Sequence, residues 1–244
     1  MSKSHLPFVS VITPTYNRKL FIPYLVEVYK QQTYPKTQME WIVYDDGPES
    51  VETLFLSLTK DLPNIRYIRE EEKSTIGTKR NRLNKEAKGS IIVAMDDDDY
   101  YPPTRVEHIV KQFQKQPKVE LAGASEVYML HTDNKEMVRL GPYGPTHATN
   151  GTMAWRKSYA NNHFYNEDVT HSEEVSFLEK YIHPMIQLEP LQTMLIISHK
   201  ENTFSKGNFR ADGTNPFVRK TTYKPRDFIK DAKLREFYTS VLTS

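Results

Sequence analysis

Along the first hundred residues, short apolar runs alternate with stretches whose apolar positions recur every three or four residues. Residues 8–13 (FVSVIT) are short and rich in β-branched side chains, which predicts a strand. Over 18–32, Phe21, Leu25, Val28 and Tyr29 share a helical face, with Asn17 as the expected cap. Residues 40–44 read as a second strand. Residues 50–62 read as a helix with Val51, Leu54, Phe55 and Leu58 on one side. A short strand at 64–68 and a helix at 74–88 follow. Residues 90–95 (SIIVAM) are nearly all apolar, the pattern of a strand buried on both faces. Repeated strand–helix–strand units with right-handed crossovers imply a parallel sheet covered by helices. Ligands of such sheets bind beyond the carboxyl ends of the strands.

The second half has a different rhythm. Residues 119–130 and 136–140 read as a strand pair joined by the polar HTDNK turn, and 141–151 as a loop. A short strand at 152–155, a helix at 172–182 and strands at 185–188 and 193–198 follow. The stretch 201–222 is polar and contains Gly and Pro, so it is expected to be mobile, and 226–242 reads as a terminal amphipathic helix. With no repeat or linker visible, the expectation is one α/β domain over 1–244. Its mostly parallel sheet would give way to a mixed-sheet C-terminal half.

Composition narrows the function classes. The chain has 244 residues, 38% hydrophobic and 26% charged, enough for an ordinary globular core. A formal net charge of +2 supplies no field for nucleic acid. The absence of cysteine removes disulfides and thiolate metal sites. No apolar run approaches the roughly 20 residues of a membrane span. The N-terminal residues lack a signal peptide's apolar core, so a cytoplasmic location is expected. The sequon at 150–152 is then read as coincidence. Nothing in the sequence reports oligomeric state.

The chemistry concentrates where the predicted strands end. In SIIVAMDDDDYYPP an apolar strand runs into four aspartates. An extended chain would put Asp96 and Asp98 on one face and Asp97 and Asp99 on the other. Carboxylates so crowded call for a cation, and oxygen ligands of this kind suit Mg²⁺ or Mn²⁺; the alternative is a solvated acidic loop. After the first strand, PTYNR offers the flat ring of Tyr16 to a nucleobase, with Asn17 or Arg18 to bond it. After the second, Asp45 and Asp46 can accept bonds from a base or ribose. The place of a Gly-x-Gly-x-x-Gly loop reads TPTYNR, which argues against a dinucleotide.

Further candidates lie on the predicted helices. In STIGTKRNRLNKEAKG, Ile76, Arg80, Leu83 and Ala87 share one face, so Arg80 turns toward the sheet and needs a phosphate, a ribose or a strand-end aspartate there. Gly77 permits a close backbone approach, while Lys79, Arg82, Lys85 and Lys88 read as a solvated face. In HSEEVSFLEKY, Glu174 starts a stripe with Phe177, Leu178 and Tyr181. A glutamate there can serve as a general base or merely complement the helix dipole, with the pair Glu167-Asp168 in competition. His199 ends an apolar strand as a candidate metal ligand. Trp155 either stacks on a sugar or packs in the core. Lys206 and Arg210 lie on a segment suited to closing over a diphosphate.

In order and spacing, these motifs resemble the GT-A fold glycosyltransferases, family 2 in particular, over about residues 8–200. VSVITPTYNR resembles that family's opening strand and nucleotide loop, WIVYDDGP its second strand with Asp45 at the base, and IGTKRN its Gly-x-x-Arg-Asn segment. VAMDDDDYYPP is similar to its Asp-x-Asp-Asp turn, which implies Asp96 on the ribose side and Asp98 on the metal. The resemblance places His199 on the same metal. SEEVSF falls where the family has Glu-Asp with the acceptor base. Glutamate replaces aspartate at 174, so the base stays open between Glu173 and Glu174. Thr15, Asn17, Arg18, Gly77, Arg80, Asp97 and Lys206 complete the expected donor-binding set. The wording of GTMAWRKSYA and ISHKENTF is also similar to glycosyltransferases of large algal DNA viruses.

The resemblance implies a Rossmann-like GT-A fold with residues 1–100 binding the nucleotide, 101–200 the acceptor, and 201–244 forming a flexible loop and C-terminal helix. It implies a Mn²⁺- or Mg²⁺-dependent, inverting transfer of a hexosyl or deoxyhexosyl unit. The donor would be a nucleotide-diphosphate sugar, UDP by default, and the acceptor a glycan hydroxyl. Two other readings compete: a sugar-phosphate nucleotidyltransferase, which would show a glycine-rich basic loop after the first strand, and a noncatalytic binding module.

Overall fold

The alternation of the first hundred residues builds a parallel sheet. β1 (Val9–Thr15), β2 (Met39–Asp45), β3 (Ile65–Arg69) and β4 (Ile91–Ala94) lie in the order β3-β2-β1-β4, all parallel. The computed structural model describes residues 6–169, 172–202, 206–240 and 242. α1 (Ile22–Lys30), α2 (Glu52–Thr59) and α3 (Ile76–Glu86) are the crossovers. β1, β2 and β4 are fully buried and each feeds two cores, whereas β3 (IRYIR) is only partly buried. Val9, Val11, Val43 and Val93 pack with Ile22, Leu25 and Val26 of α1, while Ile12, Ile42, Ile92 and Ala94 pack with Leu83 of α3. Two-sided burial of this kind is the hallmark of a parallel sheet.

The sheet then turns mixed, as expected. β8 (Ala154–Arg156) runs antiparallel to β4, β5 (Leu121–Gly123) antiparallel to β8, and β9 (Met185–Gln187) parallel to β5. A second, four-stranded sheet orders β10 (Leu195–Ser198), β6 (Val127–His131), β7 (Met137–Leu140) and β11 (Val218–Lys220). The short helices are α5 (Lys157–Ala160), α6 (Glu174–Phe177) and α7 (Pro225–Phe228).

Several elements differ from the sequence reading. An unpredicted helix, α4 (Arg105–Lys115), buries Val106, Ile109, Val110 and Phe113. The strand expected over 119–130 is two strands in different sheets. Between them the Ala124 and Ser125 N–H groups donate to Thr152 Oγ1 (3.0 Å) and Gln187 Oε1 (2.8 Å), side-chain acceptors that replace the ladder. The helix expected over 172–182 is a single turn, α6. It cannot continue because Glu179, Lys180 and Tyr181 all have positive φ, +45°, +58° and +65°. The stretch 201–222 contributes β11 to the second sheet.

The terminal helix is also broken. Ile229 is wholly buried after α7, and Asp231 recaps the chain, accepting from the Leu234 N–H at 2.9 Å, to start α8 (Ala232–Thr239). Residue 241 of the predicted helix lies outside the described residues. Asn17 is not a cap. It stands in a turn at φ +54°, and α1 starts after Phe21 with a proline in its first turn instead.

Candidate active site

Strand register brings the site together. Thr15 pairs with Asp45 across β1 and β2, and Ile12 pairs with Ala94 across β1 and β4, so the carboxyl ends of three strands converge. Beyond Ala94 the chain bends, and each aspartate acquires its own partner. Asp96 takes a forked contact from Arg80, Nη1 at 2.9 Å and Nη2 at 3.3 Å. Asp97 faces Arg18 Nε at 3.7 Å. Asp98 faces Arg18 Nη2 at 3.8 Å and His199 Nε2 at 3.4 Å, and accepts from Asn202 Nδ2 at 3.1 Å. Asp99 accepts from the Ile197 N–H at 2.8 Å and faces Lys206 Nζ at 3.7 Å. The expected two-face alternation is therefore absent: a bent chain has no period of two, and Asp97 and Asp98 share Arg18.

Fixed cations thus answer part of the crowding, and they divide the charge unequally. Burial would raise Asp98, but Lys206, His199 and Arg18 outweigh it and hold its carboxyl well below the usual range. Burial pushes Asp97 up to about 7, with the Asp98 charge adding to the shift. Burial also pushes Asp99 up to about 7 against the pull of Lys206, again with Asp98 adding. Among Asp97, Asp98 and Asp99, it is Asp98 that holds its negative charge most firmly.

His199 reaches Asp98 through the second sheet. Tyr100 forms an antiparallel bridge with Leu195, the first residue of β10, exchanging N–H···O bonds of 3.1 and 2.8 Å. β10 then delivers His199, whose side chain is 1% exposed, and Asn202 closes the turn by accepting from the His199 N–H at 2.7 Å. His199 Nε2 is buried without a hydrogen-bond partner. Ligands in adjacent positions on an octahedral ion lie about 3 Å apart when metal–ligand distances are roughly 2.0–2.1 Å. A carboxylate oxygen and an orphaned imidazole nitrogen 3.4 Å apart fit such an ion. The Glu201 N–H points at His199 Nδ1 from 3.3 Å. A ligating Nε2 requires the proton on Nδ1, so that contact would give way.

Arg80 is the hub of a second group of contacts around Asp96. It is 4% exposed, and besides Asp96 its Nε donates to Glu173 Oε1 at 2.8 Å. With the Asn150 amide oxygen turned toward Arg80, it accepts from Nη1 at 2.7 Å, while its nitrogen reaches the Tyr165 hydroxyl at 2.6 Å. Glu173 is thereby engaged. Glu174, one residue on and only partly buried, is pushed up to about 7 by burial and then by the Glu173 charge. The expected competitors Glu167 and Asp168 are exposed, and Glu167 accepts from Asn81 Nδ2 at 2.8 Å on the outer side of α3.

Other expected residues are placed differently. Lys79 is not on a solvated face: it is 5% exposed and donates to Asp46 and, at 3.2 Å, to the Thr15 carbonyl. Gly77 does allow a close approach, but by protein, since a Cβ there would overlap the carbonyl oxygen of Asn166. Asp45 is 1% exposed and organises its own loop, accepting from the Gly47 N–H at 2.9 Å, the Val51 N–H at 3.3 Å and the Tyr67 hydroxyl. The Thr15 hydroxyl is buried without a partner. Tyr16 is half-buried with Lys73 and Lys79 at 4.3 and 5.3 Å from its ring centre. Trp155 is fully buried and bonds Asn84, so it packs in the core. Arg210 pairs with Asp133 at 2.6 Å.

Asn202, Asn150 and Arg105 were not foreseen. The asparagines carry no pattern of their own, whereas Arg105 opens a helix whose apolar spacing was readable. The Arg105 guanidinium is wholly buried and donates to the carbonyls of Ala94, Gly151 and Thr193 at 2.7–2.8 Å.

The family model described as Glycosyl transferase family 2 matches residues 10–178. A beta-monoglucosyldiacylglycerol synthase of Nostoc sp. is 24% identical over 84% of this chain and 50% of its own length. The chain therefore spans about half the length of that curated relative. Among solved structures, S. aureus TarS 1-349 in complex with UDP-GlcNAc superposes with a TM-score of 0.63 at 19% identity, over 80% of this chain and 59% of that one. The mannosyltransferase PcManGT from Pyrobaculum calidifontis, in complex with GDP-Man and Mn²⁺, gives 0.62 at 16% identity, over 82% and 59%. The fold is GT-A. Among the described residues no helix is long and apolar enough to cross a membrane.

Proposed function

The chain belongs to glycosyl transferase family 2, and from that premise we propose that it moves a hexosyl or deoxyhexosyl unit from a nucleotide-diphosphate sugar to a glycan hydroxyl, with inversion. UDP is the default nucleoside diphosphate, in keeping with the UDP-GlcNAc bound by TarS. The observation that carries the reading is the pairing of Asp98 with His199 beyond the ends of β4 and β10, with Asp96 of the same aspartate run held by Arg80, which also holds Glu173, the neighbour of Glu174.

Asp98 and His199 would hold Mn²⁺ or Mg²⁺; when bound, the ion supplies a Lewis acid for the charge on the leaving diphosphate. PcManGT is in complex with GDP-Man and Mn²⁺, which supports this choice. Thr15, Tyr16, Asn17 and the loop folded by Asp45 would receive the nucleoside. Arg80 orients Asp96 toward the ribose. Arg18 and Lys206 act on Asp98, which supports a role for the two cations in meeting phosphate oxygens. Residues 1–100 would bind donor, 101–200 acceptor, and the segment after 201 would bring Lys206.

Glu174 is the base in this reading. Glu173 is committed to Arg80, whereas Glu174 makes no ion pair within 4 Å among the described residues, and burial pushes it up to about 7, near the pH at which a general base is most effective. It takes the proton of the acceptor hydroxyl as that oxygen attacks the anomeric carbon opposite the diphosphate, which inverts the centre. Alignment of the two substrates supplies about 7 kcal/mol or more of such a barrier.

The test is a melting-temperature screen of nucleotide sugars with and without Mn²⁺, since a bound donor raises Tm by mass action, followed by product analysis. Release of a nucleoside diphosphate supports transfer. Pyrophosphate release from a nucleoside triphosphate would identify a nucleotidyltransferase. Donor binding with neither transfer nor donor hydrolysis would identify a binding module.

A further inference from the structure

A second cluster of metal-ligating side chains lies away from Asp98 and His199. His163 follows α5, and Glu179 and His183 follow α6. One donor atom from each falls within 4.8 Å of the other two. His183 Nε2 is 2.8 Å from Glu179 Oε2, and His163 Nε2 is 3.8 Å from Glu179 Oε1. We propose that His163, Glu179 and His183 bind a Zn²⁺-class ion, with water as the fourth ligand.

Three observations carry this beyond an ordinary ion pair. First, His163 Nδ1 lies 2.9 Å from the Tyr159 carbonyl and donates to it. That bond fixes the tautomer and leaves the Nε2 lone pair facing Glu179, the outer-shell arrangement typical of ligating histidines. Second, Tyr159 orients both rings. It stacks on His163 at 3.8 Å with 2° between planes, and meets His183 edge-on at 5.4 Å. Third, the left-handed backbone at Glu179, Lys180 and Tyr181 turns the chain back so that Glu179 stands between the two histidines. Three consecutive non-glycine residues in that region persist only where their surroundings fix them.

The chemistry selects the metal. Two imidazoles and one carboxylate suit Zn²⁺, in contrast to the oxygen-rich surroundings of Asp98. A tetrahedral ion with ligands at about 2.0–2.1 Å needs donor atoms roughly 3.3 Å apart, so the longer separations must contract by side-chain rotation. The side chains are 19%, 50% and 28% exposed, leaving an entry path. The ion would clasp the turn carrying Glu173 and Glu174 to the segment after α5. The site itself does not depend on the proposed transfer reaction.

The test is a Zn²⁺ titration by calorimetry of protein freed of metal with a chelator, in the wild type and in Asp98→Ala. We expect one equivalent bound in Asp98→Ala, with a raised Tm. Four-coordinate visible bands should appear when Co²⁺ is substituted. His163→Gln with His183→Gln should weaken that binding on the order of 100-fold, the upper range for loss of even an outer-shell partner; Glu179→Gln provides a milder variant if the double variant does not fold. Failure of folded Asp98→Ala to bind Zn²⁺, six-coordinate Co²⁺ spectra, or binding retained in the His163/His183 variant would leave only an ion pair and overturn the proposal.

Discussion

Asp98 Oδ2 and His199 Nε2 face each other across 3.4 Å, although they close the ends of strands in two different sheets. The Tyr100–Leu195 bridge and the Asp99–Ile197 hydrogen bond make that meeting possible. The fold therefore spends part of the aspartate run on construction, with Asp99 bonding backbone. Asp98 keeps its charge and faces an imidazole nitrogen that has no hydrogen-bond partner.

If this pair holds the catalytic ion, Asp98→Ala and His199→Ala should each remove the Mn²⁺-dependent part of donor binding. The increase in Tm given by donor with Mn²⁺ should fall to that given by donor alone. Transfer should drop about 100-fold or more, equivalent to about 3 kcal/mol of lost charge stabilisation. Unchanged Mn²⁺-dependent turnover in Asp98→Ala would remove the pair from the reaction.

Glu174→Gln should leave donor binding intact and cut turnover roughly 10²-fold or more. Since the Glu174 carboxyl is pushed up to about 7, wild-type turnover should rise with pH through that value as the base ionises. Stability has the opposite sign. A carboxyl whose folded pKa exceeds its unfolded value favours the fold at low pH, and this contribution is lost as pH rises from about 4.5 through 7. Glu174→Gln should therefore gain Tm relative to wild type at pH 8 compared with pH 4. A kinetic loss confined to Glu173→Gln would move the base one residue earlier.

The sheet half of the fold was legible because buried parallel strands carry a signal in every residue, as in 90–95. Arg80 was legible too, since helical spacing with Ile76, Leu83 and Ala87 put it against the sheet, where it meets Asp96 and Glu173. The reach of β10, and so of His199, depended on a single bridge that leaves no local pattern. Lys79 was misread because nothing nearby in sequence announces Asp46 as its partner. The aspartate alternation failed for a different reason: the period of two ends with the strand, and β4 stops at Ala94, before the first aspartate.

Arg80→Met should be strongly destabilising, because it leaves Glu173 buried and Asp96 half-covered without their cation. Losing one partner of a buried pair costs about 3–5 kcal/mol, or on the order of 10 °C in Tm for a chain of this size. Adding Glu173→Gln should recover part of that loss. Strict additivity of the two changes in a double-mutant cycle would show that the pair is uncoupled.

Gly77→Ala separates two roles for the same residue. A methyl group there meets the Asn166 backbone, so the cost should appear as stability, about 1–3 kcal/mol of overpacking. Donor affinity per folded molecule should change little. The reverse result, an unaltered Tm with weakened nucleotide-sugar binding, would place the donor at Gly77 after all.

Arg105 makes the last case, since it touches neither Asp98 nor His199 yet ties together the strands that lead to them. Its guanidinium bonds the carbonyl of Ala94, where β4 ends, and that of Thr193, just before β10, with Gly151 as a third acceptor. Arg105→Met keeps much of the volume but leaves three buried carbonyls unpaired, each at a cost of about 1–3 kcal/mol. Tm should fall by several degrees. Because the end of β4 and the start of β10 lose their common tie, Mn²⁺-dependent donor binding should weaken as well, even below the unfolding range. Arg105→Lys retains the charge but offers a point donor in place of a planar fork, so it should recover only part of either loss. Equal Tm values for wild type and Arg105→Met would mean that the strand ends are held by the sheet alone.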